Sequence, residues 1–304
     1  MSTHIHVCQQ LDKPFKFWKA ELYMMLGQIE LWKKFYDKPT KLYCDSNTLN
    51  IIESIGILDA WDEVDSTLLD EPIDINKTQF WSSGKIRVMQ AQETQYVMSD
   101  LDFICFEDLS KTDLFFHDLG VYHKEMWLFN NVYASPREKL KEARFKMDVS
   151  TCWISNPFNM AFIYMGDTLL NKDYTRNAIG YMKNASKLES HKFNRNQYTV
   201  FAEQQMLAAI TGSNDYSYKL LISGTYKDGG KWFSNRDGIW KLGDTWRHSM
   251  HLWLDKYNFA ARPDKQEWYI EVIMDKINAI DPEIHDRIQN KLSQLDTYNE
   301  YLRL

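Results

Sequence analysis

Residues 94–108 read Thr-Gln-Tyr-Val-Met-Ser-Asp-Leu-Asp-Phe-Ile-Cys-Phe-Glu-Asp. One apolar run, Tyr96-Val97-Met98, leads into Ser99-Asp100-Leu101-Asp102, and a second, Phe103 to Phe106, follows at once. Two strand-like segments therefore bracket an Asp-x-Asp turn. Carboxylates set between buried segments are costly unless something pairs with them. Two of them, one residue apart in a turn, lie on one side of the backbone and can reach a single hard cation. Mg²⁺ and Mn²⁺ take oxygen ligands and often bind through one or two carboxylates plus substrate phosphates. The competing reading is a solvated or capping turn.

Working toward the N-terminus, the same alternation of elements repeats. His4 to Cys8 alternates as a strand does. Pro14 opens a helix from Phe15 to Tyr36, with Phe17, Trp18, Leu22, Met25, Leu26, Ile29 and Trp32 at helical spacing. Lys41 to Asp45 is a second strand. Ser46-Asn47 caps a helix to about Ser54, stopped by Gly56. Trp61 to Leu69 is strand-like, and Phe80 to Gln92 is helical. Strands alternating with helices predict a mostly parallel sheet covered on both faces. Asp100 and Asp102 then stand at the carboxyl end of about the fourth strand, the edge where open α/β sheets collect ligands.

Beyond residue 110 the pattern loosens. Arg137 to Lys146 predicts a solvated helix, and Trp153 to Met165 is apolar around the insert Ser155 to Asn159. Helices are predicted over Asp173–Ala185, Val200–Ile210, Gln266–Ala279 and Glu283–Leu302, and residues 211–251 read as loops and short strands. No repeat, low-complexity tract or Pro/Ser linker interrupts the chain. One compact domain with a helical C-terminal extension is expected. Those last helices serve dimerisation, docking on a membrane-borne acceptor or internal packing equally well.

Composition narrows the function. The 304 residues carry 36 basic and 42 acidic side chains, a net charge of −6, with no basic block, which argues against a dedicated nucleic-acid binder. The 11 Trp, 17 Tyr and 16 Phe are mostly core, with room for a few sugar-stacking platforms. Cys8, Cys44, Cys105 and Cys152 make no Cys-x-x-Cys and read as buried free thiols of a reducing compartment. No signal peptide precedes the first strand and no apolar run approaches a membrane span, so a soluble, cytoplasmic protein is expected.

At this point the chain resembles a GT-A-type glycosyltransferase, glycogenin-like or of the bacterial lipopolysaccharide kind. Besides the Asp-x-Asp, Phe158-Asn159-Met160-Ala161-Phe162-Ile163 is similar to the family's "F-N-x-G/A-hydrophobic" strand. Glu203-Gln204-Gln205-Met206-Leu207 is similar to its "D-Q-x-x-L" helix start. His248 and His251 are candidates for its late histidine. Glu203 stands where the motif has Asp, Ala161 where Gly is common, and the late histidines lack the full His-x-x-Gly-x-Lys-Pro-Trp context.

The resemblance spans residues 1–255. It implies a Rossmann-like mixed sheet, a nucleotide-sugar part over about 1–110, an acceptor part over 111–255 and the C-terminal helical extension over 256–304. It implies Mn²⁺ or Mg²⁺ held by Asp100, Asp102 and His251 or His248. It implies donor contacts from Asp45, Lys85, Asp100 and Asn159, and Glu203 and Gln204 near the reacting centre. The implied reaction moves a sugar, with retention, from a nucleotide-sugar, usually a UDP-sugar, to a glycan or glycoconjugate hydroxyl.

Each residue also has an ordinary reading. Lys85 and Arg87 fit a solvated helix face, Glu203 and Gln204 a plain surface, and Asn159 a backbone bond. His4-x-His6 puts two imidazoles on one strand face, but no third ligand is evident. Two other functions are consistent with paired carboxylates or this fold. One is a Mg-dependent phosphoryl or nucleotidyl transferase, for which the isolated Asp228-Gly229-Gly230-Lys231 is poor support. The other is a non-catalytic carbohydrate-binding protein.

Overall fold

A computed structural model describes residues 3–11, 16–126, 132–153, 155–188, 194–227, 231–234, 238–241, 245–252, 255–293 and 301–303. Pro14 and the segment Asp228-Gly229-Gly230 lie outside the described residues.

The N-terminal half builds as its alternation predicts. Strand β1 (Thr3–Cys8) pairs in parallel with β2 (Thr40–Cys44) on one side and β4 (Tyr96–Ser99) on the other, and β3 (Glu63–Asp65) extends the sheet beyond β2. Strand β7 (Phe158–Met165) adds antiparallel to β4. Outside it run β6 (Leu119–Glu125), β8 (Tyr218–Lys227) and β10 (Gly238–Lys241), with β9 (Lys231–Ser234) paired to β8. The order is β10-β8-β6-β7-β4-β1-β2-β3, so the sheet is mixed and mostly parallel. Strand β5 (Phe103–Cys105) leaves it and pairs antiparallel with β11 (Ser249–His251).

Helices cover both faces. One core joins α1 (Lys19–Tyr36), α2 (Ser46–Ile55), α9 (Pro263–Ile280) and α10 (Pro282–Leu292) to Leu42 and Cys44 of β2. The opposite core joins α3 (Ser83–Gln90) and α5 (Thr168–Ala185) to Tyr43 and Met98. Leu42 and Cys44 facing one way and Tyr43 the other is the two-residue period of a strand buried on both sides.

Gly27 matters for the first core. A Cβ there would stand 2.7 Å from Ile104 Cδ1 and 2.8 Å from Ile277 Cδ1, so a side chain at this position would displace both isoleucine tips where α1 meets β5 and α9. The chain end is stitched to the same face, where Phe17 N–H donates to Tyr301 O at 3.0 Å and Arg303 N–H donates to Phe17 O at 2.8 Å. Among the described residues no helix is long and apolar enough to cross a membrane. All four cysteines are free thiols, and Cys8, Cys44 and Cys105 are buried.

Several boundaries differ from expectation for identifiable reasons. α1 begins at Lys19, because Trp18 is extended and the Glu21 carboxylate reaches back to accept its N–H at 2.8 Å. α2 is capped by Asp45, not by Ser46-Asn47: its Oδ1 accepts Thr48 N–H at 2.9 Å. α5 begins at Thr168, because Asp167 caps it through Leu170 N–H at 2.7 Å. Strand β6 was hidden by its polar end, His123-Lys124-Glu125, although His123 and Glu125 are buried. β8 is a ten-residue strand where short pieces were expected. The predicted 200–210 helix is longer and interrupted: α6 (Arg195–Val200), a π-helical turn (Phe201–Gln205) and α7 (Met206–Thr211) follow without a break.

Candidate functional site

The chain reverses its direction of travel across the sheet between β1 and β4, with β2 and β3 on one flank and β7 on the other. Open α/β sheets bind ligands at the carboxyl ends of such strands. A cavity of about 290 Å³ opens there, between Val7, Cys8 and Gln9 at the end of β1 and Met98 to Leu101 at the end of β4. A second, of about 520 Å³, adjoins it and shares Leu11, Trp81, Asp100 and Lys256.

The Asp-x-Asp turn forms the wall between them. Asp100 N–H donates to Ala161 O at 2.8 Å, and Asp102 O accepts Leu252 N–H at 3.0 Å, so the turn is tied to both β7 and the segment after β11. Register places His251 opposite Phe103, beside Asp102. Asp100, Asp102 and His251 bring one ligand atom each to within 4.8 Å of one another. Two carboxylates and an imidazole suit a divalent cation such as Mn²⁺ or Mg²⁺. His248 lies outside this group: its Nδ1 is 2.9 Å from Glu107 Oε1, and its ring stacks on Trp240 with centroids 5.1 Å apart.

Two lysines neutralise the carboxylates. Lys256 Nζ lies 2.8 Å from Asp102 Oδ2 and 3.2 Å from Glu21 Oε1. Burial alone would raise the Asp102 pKa, but Lys256 and His251 outweigh it and hold the carboxyl well below the usual carboxylate range. Glu21 goes the other way, because its burial exceeds what Lys256 returns. Lys85 Nζ lies 2.7 Å from Asp100 Oδ1 and 3.1 Å from Glu203 Oε1, and donates to Met160 O at 2.6 Å. Burial opposes its charge, yet Asp100 and Glu203 keep its pKa above the ordinary lysine value. Each aspartate thus gives one oxygen to a lysine, and the other oxygen of Asp102 lies 3.6 Å from His251 Nε2.

The solvated-face reading of Lys85 and Arg87 is overturned, since both are buried. Arg87 turns from the site and donates to Leu68 O at 2.7 Å. Glu203 is likewise not surface. It is 2% exposed, and its Oε2 is buried without a hydrogen-bond partner among the described residues. Burial and then Asp100 raise its pKa, while Lys85 lowers it, and the net shift is upward. Glu203 and Gln204 sit on the π-helical turn, which offsets their side chains from the flanking helix. Both line the larger cavity, and Gln204 Oε1 accepts the Tyr133 hydroxyl at 2.5 Å.

Asn159 lines the same cavity, but its polar groups are engaged: Nδ2 donates to Glu125 Oε1 at 2.9 Å and Oδ1 accepts Ala161 N–H at 3.0 Å. Asp45 serves backbone groups, accepting Gln10 N–H at 2.5 Å as well as capping α2.

His4 and His6 form a different device. Ser99 Oγ lies 2.9 Å from His4 Nε2 and 3.1 Å from His6 Nε2, and Trp61 Nε1–H donates to His6 Nδ1 at 3.2 Å. An indole nitrogen can only donate, so His6 carries its proton on Nε2 and gives it to Ser99. The Ser99 hydroxyl then donates to His4. Both imidazoles are neutral braces under the residue that precedes Asp100.

Two site residues escaped sequence reasoning. Lys256 stands five positions after His251, the spacing between His and Lys in the His-x-x-Gly-x-Lys-Pro-Trp motif, and that interval was the available signal. Gln9 has both amide atoms buried without partners among the described residues, beside Gly84 in the smaller cavity. Nothing in its neighbours' sequence marks it.

No family model matches the chain, and no curated protein matches it. Among solved structures it is similar to the galactosyltransferase LgtC in complex with donor and acceptor sugar analogs, at 11% identity and a TM-score of 0.36, over 71% of this chain and 73% of that one. It is also similar to mouse xyloside xylosyltransferase 1, at 10% identity and a TM-score of 0.36, over 72% and 84% of the two chains. A third similarity is to HddC from Yersinia pseudotuberculosis, at 12% identity and a TM-score of 0.35, over 77% and 93%.

Proposed function

We propose that this protein is a glycosyltransferase that uses Mn²⁺ or Mg²⁺ to move a sugar from a nucleotide-sugar, a UDP-sugar, to a hydroxyl of a glycan or glycoconjugate. The observation that carries the reading is the Asp100, Asp102 and His251 group at the β1–β4 edge, with Glu203 on the wall of the same cavity. A divalent cation held by that group supplies charge neutralisation for a departing diphosphate.

The protein's own residues do the rest. Lys256 keeps Asp102 ionised, and Lys85 fixes Asp100 through one of its oxygens. The smaller cavity, with the unpartnered Gln9 amide, receives the nucleotide. Glu203, braced through Oε1, offers Oε2 to a sugar hydroxyl beside the reacting carbon. Gln204, oriented by Tyr133, lies alongside. Retention of configuration belongs to this reading, and free thiols support a reducing, cytoplasmic setting.

Thermal shift with UDP, with and without Mn²⁺, is the test, together with slow hydrolysis of UDP-, GDP- and CMP-sugars. The reading expects stabilisation by UDP that grows with Mn²⁺ and hydrolysis of a UDP-sugar. No stabilisation by any nucleotide and no hydrolysis would reduce the protein to a binding module.

A further inference from the structure

Lysines, not arginines, pair with the acids around the larger cavity. Asp102 shares Lys256 with Glu21, and Asp100 and Glu203 share Lys85. Two guanidinium groups on the same wall, Arg195 and Arg303, have no carboxylate partner among the described residues. Arg195 is half-buried at the start of α6, close in sequence to the π-helical turn that carries Glu203 and Gln204. Arg303 is fixed through its backbone to Phe17, and its guanidinium lies 5.6 Å from the centre of the Trp18 ring.

Position separates these arginines from the nucleotide. Neither lines the smaller cavity at the ends of β1 and β4, whereas Lys85 and Lys256 do. A nucleoside diphosphate with one divalent cation brings its own compensating charge. Arg195 and Arg303 line only the larger cavity, together with Glu203. Trp81, 40% exposed, stands at the junction of the two cavities as an open aromatic face. An apolar ring face beside cationic forks is a surface for a saccharide that also carries an anion. Guanidinium binds carboxylate or phosphate oxygens in a bidentate fork that a neutral hydroxyl cannot match.

We propose that the acceptor is an anionic saccharide, its carboxylate or phosphate held by Arg195 with Arg303 and its ring laid against Trp81. The proposal rests on the glycosyltransferase reading above and specifies the substrate class on the acceptor side.

The test uses three sugars that share one ring: methyl glucoside, methyl glucuronide and glucose 6-phosphate. Each is titrated into the full-length protein in the presence of UDP and Mn²⁺. Wild type is expected to bind at least one anionic sugar about ten-fold more tightly than the neutral one. Which anion wins identifies carboxylate or phosphate as the natural group. Arg195→Gln should abolish the preference and Arg195→Lys should restore part of it, both with unchanged melting temperature and UDP–Mn²⁺ affinity. Trp81→Ala should weaken all three sugars alike. Equal binding of all three sugars by wild type would overturn the proposal, as would a preference that survives Arg195→Gln. Weakened UDP–Mn²⁺ binding in Arg195→Gln would reassign the arginine to the donor and also overturn it. Failure of wild type to bind UDP with Mn²⁺ at all would overturn the underlying glycosyltransferase reading and this one with it.

Discussion

Lys256 Nζ lies 2.8 Å from Asp102 Oδ2, joining two residues 154 positions apart and tying the C-terminal part of the chain to the Asp-x-Asp turn. The same ammonium serves Glu21, so one cation answers two buried carboxylates. Removing one partner of a buried ion pair leaves the other charge uncompensated, at a cost of about 3–5 kcal/mol. Lys256→Met should therefore lose about 3 kcal/mol in urea denaturation, the low end because the lysine is partly exposed. Mn²⁺ should return more stability to this variant than to wild type, since it replaces the missing charge at Asp102. Equal Mn²⁺ effects in both proteins would separate Asp102 from the cation.

Glu203 and Gln204 should act on turnover more than on donor binding. A group that engages only as the bond breaks lowers kcat and leaves donor affinity nearly unchanged. Glu203→Gln keeps the shape and removes the charge. Its transfer rate should fall about a hundred-fold, with UDP affinity within a few-fold of wild type. Calorimetry with UDP and Mn²⁺, run beside a transfer assay, gives both numbers. An unchanged rate would leave the acceptor side of the cavity without a catalytic group.

The two late histidines should behave differently. His251 belongs to the group with Asp100 and Asp102, whereas His248 is paired with Glu107 and stacked on Trp240. His251→Ala should raise the Mn²⁺ concentration needed for half-maximal UDP binding about ten-fold or more. His248→Ala should leave it alone. The opposite pattern would move the ligand role to His248.

His4 and His6 predict acid sensitivity. Burial, and for His4 also the neighbouring His6, pushes both imidazoles below the ordinary value, His6 to about 3. The unfolded chain takes up its protons near pH 6.5 while the folded protein still refuses them. Stability is therefore complete above that pH and is lost as pH falls from about 6.5 toward the folded value, by about 2 kcal/mol for His6 at pH 5. His6→Gln should lose correspondingly less between pH 7 and pH 5 in urea denaturation. A loss equal to that of wild type would mean that His6 takes up its proton in the folded protein as readily as in the unfolded chain.

Part of the candidate site was legible because the position of the Asp-x-Asp pair between two apolar runs, rather than the pair alone, marks a strand end. The run from Tyr96 to Phe106 located β4, β5 and the turn between them, and alternation upstream gave the parallel half of the sheet. What escaped depends on distant partners. The pairing of Lys85 with Glu203, of Lys256 with Asp102 and of His248 with Glu107 spans more than a hundred residues in each case, and periodicity carries no information about it. β6 was missed because His123 and Glu125 look like surface residues and are buried. The cap at Asp45 was missed because an aspartate that starts a helix and one that binds a ligand are the same letter, and the cap at Asp167 because the helix was expected to start only at Asp173.

The central claim is that Asp102 holds a divalent cation that a nucleoside diphosphate needs. The direct measurement is UDP affinity with and without Mn²⁺ in wild type and in Asp102→Asn, with circular dichroism to verify the fold. The account predicts that Mn²⁺ tightens UDP binding to wild type by about ten-fold or more and has little effect on folded Asp102→Asn, whose transfer activity falls by orders of magnitude. A folded Asp102→Asn that keeps both its Mn²⁺ response and its turnover would contradict it.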